Sequence, residues 1–138
     1  MSSGSARFIV VVSLVIEHEG AVLLARRHPE RDHAPGAWDV ISGRVDAGEK
    51  PLDAAQREAW EETGLHLEIV APIDTFRFLR GPDAEEAIGI TFHCRAHDRT
   101  VRLSNEHTEF TWVTLEQARR YGLPKGLLRC IGVVLGHR

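Results

Sequence analysis

The residue types best spaced to do chemistry lie between Gly43 and Leu65, in GRVDAGEKPLDAAQREAWEETGL. Gly43 is followed six positions on by Glu49, then by Arg57-Glu58, Glu61-Glu62 and a closing Gly64-Leu65. Pro51 suits a first helical position, where a missing N–H costs nothing. Gly64 suits the position just past a helix end, where φ turns positive. A helix is therefore expected over Pro51–Thr63. At 100° per residue, with Glu58 set to zero, Glu61 falls at about −60° and Glu62 at about +40°. The three carboxylates share one face, and Arg57 borders it at about −100°. Leu52, Ala55 and Ala59 form an adjoining apolar stripe at about +60° to +120°. The two alanines would let the helix sit close to a sheet, while Trp60 and Asp53 point away from the acidic face.

Three like charges on one helical face repel one another, and Arg57 offsets only part of that. Acidic helix faces are ordinarily just solvated surface. Here the cluster abuts the stripe that should face the core and follows a glycine-bearing loop. In that setting a hard divalent cation is the better partner. Mg²⁺ takes oxygen ligands, keeps several waters, and can bridge a carboxylate to a phosphate oxygen.

The whole pattern resembles the Nudix box. It runs Gly43, five residues, Glu49, seven residues, Arg57-Glu58-Ala59, one residue, Glu61-Glu62, one residue, Gly64-Leu65. The resemblance implies an α/β (α+β) fold, the Nudix-type α/β/α sandwich around a mixed β-sheet, as a single Nudix hydrolase domain over residues 1–138. It implies Mg²⁺- or Mn²⁺-dependent hydrolysis of the phosphoanhydride of a nucleoside diphosphate linked to another group, by water attack on phosphorus. On matching positions, Glu58, Glu61, Glu62 and the carbonyl of Gly43 are the expected metal ligands. Glu49 would be an outer carboxylate, and Arg57 would orient the glutamates. Phosphoryl transfer of this kind needs charge neutralisation and a positioned water, and a carboxylate to take the water's proton. In the family that base is a box glutamate or an acid from a later loop. Glu58 and Glu61 stand for the first, Glu106 for the second, and Glu109 is its runner-up. Two positions depart from common family practice. Ser42 stands where a second glycine often precedes the box, and Lys50 stands where Ser or Thr often caps the helix.

Other elements must position these groups. Residues 8–17 read as a buried strand, Glu19-Gly20 as a hairpin turn and Ala21–Arg26 as the returning strand. His28–Gly36 reads as a loop and Trp38–Ser42 as a short strand. His66–Leu79 reads as one strand broken near Pro72, Arg80–Glu85 as a turn and Ala87–Ala96 as a strand. Phe110–Val113 is expected as a strand, with helices near Leu115–Tyr121 and over Leu123–Leu135. The chain has 138 residues, 43% of them hydrophobic and 27% charged, with net charge −3. That length favours one domain with a real core. The mildly acidic balance argues against a nucleic-acid or membrane-surface binder. Phe8–Ile16 is too short to span a bilayer and lacks a signal-peptide cleavage site, so the expected location is the cytoplasm. Cys94 and Cys130 read as reduced, buried thiols.

Substrate recognition lies outside the box. Trp38, Phe76, Phe78 and Phe92 could stack on a base, although strand aromatics are more often core. Arg26, Arg27, Arg44, Arg77 and Arg80 could meet phosphate or ribose. Of these, Arg26, Arg44, Phe76 and Arg80 are taken as the substrate-binding set. Asn105 is the chain's only asparagine. It precedes the region where the family's oxidised-guanine triphosphatases read a purine, which weakens that assignment. Pro82 lies seventeen residues after Leu65, close to where ADP-ribose pyrophosphatases carry a proline, although turn chemistry explains it equally well. The expected partner is therefore a small-molecule nucleotide, with a homodimer left open by the resemblance. The alternatives are an ADP-ribose or sugar-nucleotide pyrophosphatase and a catalytically idle nucleotide-binding sensor.

Overall fold

The computed structural model describes residues 6–31 and 33–136. The ends of the expected 1–138 span, residues 1–5 and 137–138, lie outside the described residues, as does position 32 in the His28–Gly36 loop. Seven strands and three helices follow in the order β1 (Ile9–His18), β2 (Ala21–Arg27), β3 (Trp38–Asp39), β4 (Ile41–Arg44), α1 (Pro51–Thr63), β5 (Leu67–Arg80), β6 (Glu85–Ala96), β7 (His107–Val113), α2 (Leu115–Ala118) and α3 (Lys125–Leu135).

The sheet runs β3-β2-β1-β6-β5, with β4 paired to β1 and β7 to β2. β1 and β6 are parallel and the other pairings antiparallel, so the sheet is mixed. The apolar run of β1 is buried on both faces, and alternation divides it between two cores. Val12, Leu14 and Ile16 pack with Ala54, Ala55 and Ala59 of α1. Val15 packs with Val22, Leu24 and Val40 and with Ile131 and Val134 of α3. Helices thus cover both faces, giving the α/β/α sandwich. No helix among the described residues is long and apolar enough to cross a membrane.

Three expectations change. The strand read over Trp38–Ser42 is two strands: β3 pairs with β2 and β4 with β1. At the hand-over the Asp39 carboxylate accepts a 2.7 Å bond from the Val40 N–H, in place of a ladder partner. β5 does not break at Pro72. It is an edge strand, where a missing N–H is tolerated, and register shifts at Ile69/Ala71 and Pro72/Asp74 carry it past the proline. β7 begins at His107 rather than Phe110, because His107 still pairs with Arg27.

α1 is preceded by Lys50, which offers no side-chain cap, and is closed by Gly64 with φ +74°. Its last carbonyls, which have no partner within a helix, take bonds from a passing strand-like segment. The N–H of Arg102 bonds Thr63 O at 2.8 Å and that of Ser104 bonds Glu62 O at 3.3 Å. That docking brings residues 102–107 against the acidic face of α1.

Candidate active site

One guanidinium organises the acidic face. Arg57 Nε donates to Glu49 Oε2 at 2.8 Å and Nη2 to Glu49 Oε1 at 3.0 Å, a forked pairing. Nη1 donates to Glu58 at 2.7 Å and to Glu61 at 3.0 Å. Nη2 also reaches the carbonyl of Arg44 at 2.8 Å. The hydrogen bond to Glu49 leads the causes that hold Arg57 above its usual value. In return Arg57, helped by the Asp46 N–H, draws the Glu49 carboxyl down to about 2.

Glu58 is buried, and its side chain lies across Gly43. A Cβ at position 43 would fall 2.0 Å from Glu58 Cδ and 2.2 Å from Oε2, so any side chain there would have to displace the Glu58 carboxylate. Burial pushes the Glu58 carboxyl up to about 7, against the pull of Arg57. Glu62 turns the other way. Its Oε1 accepts from Ser104 Oγ at 2.5 Å and lies 3.3 Å from Nδ1 of the buried His107 ring. The His107 nitrogens make no well-aligned hydrogen bond. Burial raises the Glu62 carboxyl, but His107, Glu106 and Ser104 together outweigh it and leave it below the usual value. Glu106 is raised, first by its hydrogen bond to Glu62 and then by burial. Its Oε1 also pairs with Arg31 at 2.9 Å.

The donors are hard carboxylate and carbonyl oxygens, the set that suits Mg²⁺ or Mn²⁺. A buried acid raised toward neutrality over a glycine gap fits a cation that would take its proton's place. Among the described residues no three acidic, histidine or cysteine side chains already converge as a cage, since Arg57 and Ser104 hold the glutamates in two directions.

A cleft of about 340 Å³ opens on the α3 side of the sheet, reaching Gly43 and Arg44. Phe76 and Phe78 line it with ring centres 5.6 Å apart. Arg27, Arg31, His33 and Arg80 line it too. The Arg27 side chain is buried, its Nε donating to the carbonyl of His33 at 2.7 Å. Burial, then the neighbouring Arg31 and Arg80, pull Arg27 below its usual value. Burial and the same three arginines lower His33. Clustered cations that repel one another favour a polyanionic guest.

The structure thus gathers Gly43, Glu49, Arg57, Glu58, Glu61, Glu62 and Glu106, and puts Arg44, Phe76 and Arg80 at the cleft. Arg26 does not belong to the set. It pairs with Glu109 at 3.1 Å and with the carbonyl of Gly36, because neighbours in a strand face opposite sides. Its neighbour Arg27 takes the cleft, and Glu109 is occupied. Arg77 pairs with Glu86. Phe92 is core, and Trp38 packs on Tyr121. Asn105 is exposed. Pro82 sits in a turn closed by the Ala84 N–H on Gly81 O at 3.1 Å. Both cysteines are free and buried. Sequence reading missed Ser104 and His107, whose only signal was their nearness to Glu106. It also missed Arg31, His33, Asp39 and Asp74 in the cleft.

The chain is similar to known proteins over most of its length. The family model described as the NUDIX domain matches residues 6–130. The nucleoside triphosphatase NudI of Klebsiella pneumoniae is 32% identical over 126 residues, covering 85% of this chain and 89% of that protein. An octanoyltransferase of Myxococcus xanthus is 42% identical over 104 residues, or 72% of this chain, yet the match spans only 28% of that protein's length. The crystal structure of a MutT protein from Methanosarcina mazei superposes with TM-score 0.80 at 29% identity, covering 96% of each chain.

Two outcomes test the geometry. Gly43→Ala should leave the circular dichroism spectrum intact but displace the Glu58 carboxylate, weakening Mn²⁺ binding at least about tenfold by calorimetry, since cation sites depend on close ligand placement. Glu49 carries a depressed value in the folded protein, so its contribution is full above its ordinary 4.5 and is lost as pH falls toward 2. In urea titrations the wild type should therefore lose stability over that window, and Glu49→Gln should show a flatter pH dependence there.

Proposed function

Because the chain belongs to the Nudix family and is a Nudix hydrolase, we propose that it acts as a single-domain pyrophosphohydrolase of nucleoside triphosphates. On this reading it converts them to nucleoside monophosphate and pyrophosphate with Mg²⁺ or Mn²⁺. The observation that carries this reading is the meeting of two features at Gly43. A buried, charge-hungry carboxylate lies on one side, and a cleft lined by clustered cations and paired aromatic rings opens on the other. The NudI name of the relatives that align along most of their length supports the triphosphate class.

In this reading Arg27, Arg31, Arg44 and Arg80 meet phosphate oxygens and hold the chain of phosphates toward α1. Glu58, Glu61, Glu62 and the carbonyl of Gly43 would hold the cation, with Glu49 outside them. When bound, the ion would neutralise phosphate charge and acidify the attacking water. Arg57 keeps Glu49, Glu58 and Glu61 oriented and limits their repulsion while the site is empty of substrate. Glu106, beside Arg31, takes the water's proton. The new O–P bond forms as the P–O bond of the anhydride breaks, and pyrophosphate leaves. Arg31 orients the base through its 2.9 Å pairing.

A panel of nucleoside triphosphates, ADP-ribose, sugar nucleotides and dinucleoside polyphosphates, with Mg²⁺ and with Mn²⁺, should show monophosphate and pyrophosphate release from the triphosphates. Preferential turnover of ADP-ribose would move the protein to that class, and no turnover of any compound would favour a nucleotide sensor. Glu61→Gln and Glu62→Gln should each lower kcat by orders of magnitude with the fold retained. Glu106→Gln should lower it about 10²-fold or more, the usual worth of a general base. A few-fold loss would return that role to a glutamate of α1.

A further inference from the structure

The floor of the cleft carries a row of hydrogen-bonding groups that the reaction above does not use. In the run VVVSLVI, Ser13 is the one hydroxyl among apolar residues. Strand register aligns it with three other polar side chains. Ser13 faces Ser42 on β4 and Thr91 on β6, and Thr91 faces Asp74 on β5. The row Ser42–Ser13–Thr91–Asp74 thus crosses four strands, about 14 Å at a strand spacing of about 4.8 Å. All four residues line the cleft. Ser13 and Thr91 are almost wholly buried, at 7% and 3% exposure. Three hydroxyl-bearing side chains thus lie in one row along the floor of the cleft.

Asp74 ends the row opposite α3. Its carboxylate has only weak company: the Cys130 thiol at 3.6 Å, a poor donor, and the exposed cation of Arg129 at 3.9 Å. The next row along the sheet is aromatic. Phe76 pairs with Gly89, and its ring lies across that glycine, where a Cβ would come within 2.1 Å of it. An acid beside a flat apolar platform is a reader for a planar heterocycle with N–H groups along one edge. Arg80 lies six residues further along the same strand, about 20 Å away at about 3.3 Å per residue. The anionic end of a ligand is thereby drawn away from Asp74, and its base end toward it.

We infer that Asp74 is a specificity-determining residue that selects a guanine-type base, stacked on Phe76, by accepting two adjacent N–H donors. A carboxylate offers two parallel acceptors and no donor. Guanine alone among the common bases presents two neighbouring donors, its ring N1–H and its exocyclic amine. Adenine and cytosine each set an acceptor beside their amine. Uracil and thymine flank one N–H with two carbonyls, and a carboxylate repels both.

The inference rests on the nucleoside triphosphate reading, and the experiment separates the two. Wild type and Asp74→Asn are compared for kcat/KM on guanosine, inosine, adenosine, cytidine and uridine triphosphates. Guanosine and adenosine monophosphate affinities are measured by calorimetry on both proteins. Wild type should prefer guanosine over adenosine triphosphate at least tenfold. It should also prefer guanosine over inosine triphosphate, which lacks the exocyclic amine. Asn offers one acceptor and one donor, so Asp74→Asn should lower guanosine turnover about 10–100-fold, the loss expected for a bidentate base contact. It should also erase the guanosine–inosine difference and raise the relative rate on adenosine triphosphate. A wild type without guanine preference, or a variant that slows all bases equally, overturns the inference. If wild type hydrolyses no triphosphate, the proposed function fails. The monophosphate affinities then decide: tighter guanosine monophosphate binding lost in Asp74→Asn sustains the inference, and equal affinities end it.

Discussion

Everything at the site depends on how one helix tolerates its own negative charge. Glu58, Glu61 and Glu62 share a face, and Glu49 is folded back beside them. Left alone, such a cluster would push α1 and the preceding loop apart. Arg57 prevents this by bonding three of the four acids and the carbonyl of Arg44 at once. The fork to Glu49 ties the loop to the helix, and the bond to Arg44 ties the helix to β4. The same guanidinium that limits repulsion therefore also sets the distance between Gly43 and Glu58. That distance leaves no space for a Cβ. Glu62 escapes Arg57 and is held by Ser104 and His107 instead, from a segment that α1 itself anchors through its terminal carbonyls.

The sheet separates two tasks. Chemistry-bearing acids lie on the α1 face, and the recognition groups lie on the α3 face, where Phe76, Phe78 and the row through Ser13 line the cleft. β4 joins them. Alternation along a strand sends Ile41 and Gly43 to the α1 side and Ser42 and Arg44 to the cleft. A four-residue strand is thus the wall between the cleft and the acidic face of α1. The hand-over of strand pairing at Val40, where Asp39 replaces a ladder partner, is what frees β4 to occupy that position.

Much of this was legible in the chain. Periodicity placed α1 between Pro51 and Thr63, and the structure has those bounds, because Pro and Gly act on local backbone geometry alone. The same local reasoning put Glu58, Glu61 and Glu62 on one face and Arg57 at its edge. The apolar run of β1 announced a strand buried on both sides. Legibility fell where partners are distant. Nothing near Arg26 and Arg27 says which faces the cleft, since that depends on whether Glu109 of β7 stands opposite. Pro72 looked like a break, and only its place at a sheet edge made it harmless.

The sequence by itself determined the acidic helix and the residue types that attend it, since those follow from spacing within one short segment, and through its resemblance to the Nudix box it implied the reaction class. Tertiary structure alone decided which acid is buried, which is held by distant partners and which is exposed. It turned Glu58 over Gly43, and it set Glu106 against Glu62 across a contact of 44 positions in the chain. It also aligned Ser42, Ser13, Thr91 and Asp74 from four separate strands. The physical reason is the same in each case. Desolvation and hydrogen-bond partnership are properties of neighbours in space, and strand register, not sequence distance, chooses those neighbours.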